Sequence, residues 1–196
     1  IGEINCIYDV QNPNTLLFGK DFKKESDFDV FIDTKKIKYS KEYQFDKMGE
    51  HKVRIVLYED LNMDYMFKDI KSLMSVEMIS TKDCKITSMI STFENCEYLQ
   101  SFNIKGFNGE KIKSLHKLFY NSGLITFSSQ FNFTNNVEDM SYMFAFTSNQ
   151  TILCSDVNTE KVTNMSHMFD NCMGLYLVDT NNRSRSEERR VGKECR

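Results

Sequence analysis

The 196-residue chain has no tryptophan, one proline and eight glycines. So little proline and glycine argues against a flexible linker or a collagen-like sequence. No apolar run approaches the roughly 18 residues a spanning helix needs. With a mean hydropathy of -0.47, this argues against a membrane-embedded protein. A basic excess is also missing. Lys and Arg number 25 against 28 Asp and Glu, a net charge of -3, whereas a nucleic-acid partner calls for a basic face. There is no C-x-x-C pair for zinc, no glycine-rich phosphate loop and no D-x-D-x-D-G calcium loop. His51, His116 and His167 are scattered, with no spacing for a Ser-His-Asp or Cys-His arrangement. What remains is 40% hydrophobic and 27% charged, an ordinary globular composition able to bury a sizeable core. It carries an unusual eleven methionines.

The methionines follow a repeat. Phe67, Phe93, Phe119, Phe144 and Phe169 are spaced 26, 26, 25 and 25 residues apart, within MDYMF, MISTF, LHKLF, MSYMF and MSHMF. Four positions before each Phe stand Met63, Met89, Leu115, Met140 and Met165. One position before stand Met66, Thr92, Leu118, Met143 and Met168. Ile86, Ile112, Val137 and Val162 lie seven before the last four. Downstream, Leu73, Val76 and Met78, then Leu99, Phe102 and Ile104, alternate as the inward side of a short strand. Leu124 and Phe127 follow one residue early, then Leu175 and Val178, while the fourth unit has only Leu153. Such strands are expected to stack in parallel. The i, i+3, i+4 spacing of M-x-x-M-F predicts a helical turn or short helix. One unit cannot bury both faces alone, so neighbours must stack.

The units VTNMSHMFDNCMGL and ITSMISTFENCEYLQSFNIKGF resemble leucine-rich repeats of BspA-like surface proteins. They are also similar to a repeat family of unknown function in mycoplasma surface lipoproteins. The resemblance covers about residues 61–180, and M-x-x-M-F-x-x-C-x-x-L is nearly whole at Met165–Leu175. The departures are Thr92, Ser122 where cysteine is expected, and the fourth unit. The resemblance implies an α/β leucine-rich-repeat solenoid of short parallel strands and short helical turns. It also implies a non-catalytic scaffold displayed on cell surfaces for adhesion or protein contact.

Residues 1–60 lack the repeat. Ile4–Val10, Phe28–Ile32, Ile37–Tyr39 and Val53–Tyr58 alternate instead, predicting antiparallel strands of a small β-sandwich-like or Ig-like module that caps the first repeat. The expected division is 1–60 for this module, 61–182 for the repeats, and 183–196 for a non-native or disordered tail. Arg185–Arg196, RSEERRVGKECR, resembles translated sequencing adapter, the alternative being a charged tail. A chain opening on Ile1 is expected to start inside a longer protein or after a cleaved leader.

Candidate sites are few. The methionine stripe suits Cu(I) in principle, but Leu115 and Leu118 share its columns and cannot ligate, so it reads as core. Cys96 and Cys172 share a column three rungs apart. At about 4.8 Å per rung this is too far for a disulfide, so both read as buried thiols. Asp27, Asp29 and Asp33 read as the wet face of a strand, with calcium as the alternative. No catalytic, cofactor or metal residue is expected. Glycosylation sequons stand at Asn132, Asn149 and Asn164, the first two better suited to loops. The outward strand positions Glu77, Gln100, Asn103, Ser128 and Asp179 form the candidate partner-binding face, with a solvated face as the alternative. The expectation is a cell-surface or secreted scaffold binding a protein or an extracellular-matrix or cell-surface ligand. An intracellular scaffold or regulatory module of a larger protein, with a catalytic domain elsewhere, is the alternative.

Overall fold

The computed structural model describes residues 2–81, 84–124, 126–127, 135–148, 151–153, 158–172 and 178–179. Alternation dominates the N-terminal strands. In β1 (Gly2–Val10), Ile4, Cys6, Tyr8 and Val10 are buried while Glu3, Asn5, Ile7 and Asp9 lie outward, the period-two signature of a strand with one packed face. After it come β2 (Asn14–Leu16), β3 (Phe28–Ile32), β4 (Lys35–Ile37), β5 (Glu42–Gln44), β6 (Gly49–Leu57) and β7 (Leu61–Asn62). The repeat supplies β8 (Leu73–Ser80), β9 (Ile86–Ser88), β10 (Ser101–Lys105), β11 (Thr126–Phe127), β12 (Thr151–Leu153) and β13 (Val178–Asp179).

Nine of these strands form one sheet in the order β13-β12-β11-β10-β8-β1-β6-β3-β4. The strand β8 is its switch point, antiparallel to β1 on one side and parallel to β10 on the other. Two small sheets, β2-β5 and β7-β9, complete the described strands.

Behind the parallel strands stands a column of rings. Phe67, Phe93, Phe119, Phe144 and Phe169 are all buried. Neighbouring rings stack with centroids 5.4–5.8 Å apart and planes within 8°. Offset stacking suits the ring quadrupole, and one ring per strand leaves a centroid spacing somewhat above the roughly 4.8 Å strand separation. Phe18 continues the column below Phe67 at 6.3 Å, and the Gly19 N–H donates to the Met66 carbonyl. A Cβ on Gly19 would meet the Tyr65 carbonyl oxygen. The N-terminal region thus covers the first rung by close backbone approach.

The expected α/β solenoid beside a β-sandwich is corrected on two counts. First, the described residues contain no helix. The M-x-x-M-F segments are chains of four-residue turns, with Met66 N–H donating to Met63 and Ile70 N–H to Phe67. The N–H groups of Tyr65, Phe67 and Asp69 donate sideways to Ile90, Thr92 and Glu94 of the next rung, not to carbonyls four residues back. The residues two before and two after each Phe take φ of 50–63°: Tyr65 and Asp69, Ser91 and Asn95, Lys117 and Asn121, Tyr142 and Phe146, His167 and Asn171. A positive φ at the third position is what a type II turn takes and what a right-handed helix forbids. Second, the antiparallel N-terminal strands and the parallel repeat strands belong to one mixed sheet, with no separate sandwich.

Candidate functional site

The register of the sheet lines up its outward residues into rows. Phe31, Arg54, Asn5, Glu77 and Asn103 are successive cross-strand partners over β3, β6, β1, β8 and β10. A second row runs Asp29, Val56, Glu3, Ile79 and Lys105. The Arg54 guanidinium lies 4.4 Å from the Phe31 ring centroid and 3.3 Å from a Glu3 carboxylate oxygen, a planar cation held between a π face and a carboxylate. Glu77 is exposed and Asn103 half-buried. Gln100 is exposed just before β10, its N–H bound to the Met74 carbonyl.

The structure therefore brings Glu77, Gln100 and Asn103 onto one face. Asp179 is in β13, paired with Leu153, and its side chain is outside the described residues. Ser128, Asn132 and Asn149 lie outside them entirely. The Asn164 side chain accepts the Ser166 N–H and hydroxyl at 3.1 and 2.8 Å, so it caps a turn. Equivalent caps come from Asn62, Ser114 and Asp139. Sequence reasoning missed Asn5, Arg54 and Phe31 as parts of the face. The alternation of residues 4–10 already placed Asn5 outward; what no local pattern shows is that β1 lies against β8.

The cysteines among the described residues are free thiols. The Cys96 thiol donates to the Phe67 carbonyl at 3.0 Å and Cys172 to Phe144 at 2.9 Å. Burial pushes the Cys6 and Cys96 thiols far up, and for Cys6 the neighbouring Cys96 adds to it. Both stay protonated near neutral pH, the opposite of an activated nucleophile. Among the described residues, no group of three His, Cys, Asp or Glu side chains is placed to hold a metal ion.

Beside the start of β8 the outer face carries an open groove. One part, of about 580 Å³, is bordered by Leu16, Ile70, Met74 and Tyr98; a second, of about 410 Å³, shares Asp9 and Met74 with it and reaches Glu50 and Gln100.

A family model described as Mycoplasma protein of unknown function, DUF285, matches residues 35–149 and again 87–183. The two matches begin 52 residues apart, the separation of Phe67 from Phe119, so the same pattern fits the chain in two registers of its repeat. No curated protein and no solved structure matches.

Proposed function

The chain belongs to the DUF285 family of Mycoplasma proteins of unknown function, and from that premise we propose a non-catalytic binding role, exercised at a cell surface or after secretion. The ligand is a protein or an extracellular-matrix component, held by complementarity across the outer face of the nine-stranded sheet. The observation that carries this reading is the row Phe31–Arg54–Asn5–Glu77–Asn103, five side chains in register over five strands. Such a row offers donors, acceptors and charges at fixed strand spacing, which a broad partner surface reads better than a small substrate does. The buried, protonated thiols of Cys6 and Cys96 offer no reactive group to that face. The likeness of Met165–Leu175 to BspA-like surface proteins supports the placement outside the cell.

The test is surface-immobilised fibronectin, laminin and collagen probed with the full chain, its Glu77→Arg variant and its Asn103→Arg variant. We expect saturable binding to at least one of the three, weakened about tenfold or more by each substitution, with melting temperatures unchanged. No binding to any of them, or equal binding by the variants, overturns the reading.

A further inference from the structure

The groove beside β8 is lined by the half-buried Met74 and Leu16 and flanked by Tyr98, which is 59% exposed. In its second part, Asp9 of β1 and Glu50 of β6 stand directly opposite each other in the antiparallel register. Both project outward, Asp9 by the alternation of β1 and Glu50 as its exposed partner. Like charges in that position destabilise a strand pair. No ion pair joins either carboxylate among the described residues; Asp9 accepts only the amide of Gln11, at 2.8 Å. The ammonium of Lys71, which also borders the groove, is already taken by Glu97 at 2.9 Å. A groove with a partly apolar lining thus carries two opposed carboxylates that no described residue pairs with a cation.

We propose that this groove binds an extended segment of a partner protein through one arginine, its guanidinium between Asp9 and Glu50 and the adjoining aliphatic side chains over Met74 and Leu16. A guanidinium fits because its planar fork addresses two carboxylates at once and its weak hydration suits a partly apolar trough. The inference rests on the proposed protein-binding role and narrows it to one place and one chemistry.

The experiment is an amide NMR titration of the full chain with two blocked pentapeptides, Gly-Leu-Arg-Leu-Gly and the same sequence with glutamine for arginine. The arginine peptide is expected to bind at least about tenfold more tightly. The double variant Asp9→Asn/Glu50→Gln is expected to erase that preference and, with the repulsion gone, to raise the melting temperature by roughly 2–4 °C. The control Glu25→Gln/Glu160→Gln has the same net charge, altered outside the groove, and is expected to keep the preference. Equal binding of the two peptides, no binding of either, the same loss in the control, or a lower melting temperature in the groove variant overturns the proposal. If the peptide preference fails while matrix binding remains sensitive to Glu77, the groove alone is refuted. If matrix binding fails while the peptide binds, the broader reading is.

Discussion

Ser122 shows how much one atom decides inside the rungs. Three residues after each column Phe stand Ile70, Cys96, Ser122, Thr147 and Cys172. The thiols of Cys96 and Cys172 reach the carbonyl of the preceding rung's Phe, and the Thr147 hydroxyl reaches Phe144 at 2.8 Å. The Ser122 hydroxyl is buried with no partner. A thiol extends further and costs less to bury, so Ser122→Cys should raise stability by about 1 kcal/mol. A urea midpoint that rises at constant m-value is the expected result. Gly19 works by lacking an atom: Gly19→Ala drives a Cβ onto the Tyr65 carbonyl and should cost about 1–3 kcal/mol. Asp33 supplies the pH dependence. It turns the chain between β3 and β4 at φ 53°. The His51 side chain, then the Lys52 N–H, hold its carboxyl below the usual range. A depressed acid contributes stability above its unfolded value of about 3.9 and loses it as pH falls through the folded one. Asn tolerates the same backbone. Asp33→Asn should therefore melt below the parent at pH 7, the gap closing once the pH drops under about 4.

At the scale of the element, the rung was legible in its side chains and not in its backbone. The spacing of Phe67 to Phe169 marked the ring column, and seven of the eleven methionines fall in its two flanking positions. The helix read from the same residues was wrong for a physical reason. Apolar residues at i, i+3 and i+4 share a face in a helix and equally in consecutive four-residue turns. The difference is where Tyr65, Phe67 and Asp69 send their N–H groups, and that depends on a rung 25 or 26 residues away. Thr92, a polar departure in an apolar column, fits because its hydroxyl donates to the Met63 carbonyl at 3.0 Å. The middle ring, Phe119, is stacked between Phe93 and Phe144 and also meets the Phe102 ring edge-on, which makes it the most exacting. Phe119→Ala should cost about 3–5 kcal/mol and Phe119→Leu distinctly less, measured by chemical denaturation. Far-UV circular dichroism of the parent should lack the helical double minimum.

At the scale of the molecule, the N-terminal strands and the repeat share one sheet, and β8 carries the join. The alternation in residues 4–10 and 73–78 predicted a strand in each place and which side chains point inward. It did not predict that the two strands are neighbours, because alternation encodes a face and not a partner. The outer-face row and the opposed Asp9 and Glu50 were hidden for the same reason. The shared sheet has a mechanical consequence. Without β1, the strand β8 presents a bare edge, and without Phe18 the Phe67 ring loses one of its two stacking partners. An unpaired hydrophobic strand edge is a template for association. Removing residues 1–58 should therefore give an aggregating product. In the intact chain, the amides of β1 and of β8 that bond to each other should exchange through one common opening, since those hydrogen bonds break together. A truncated chain that stays monomeric and unfolds cooperatively, or an intact one in which β1 exchanges well before β8, would mean that the rungs hold themselves together and that the N-terminal strands only rest against them.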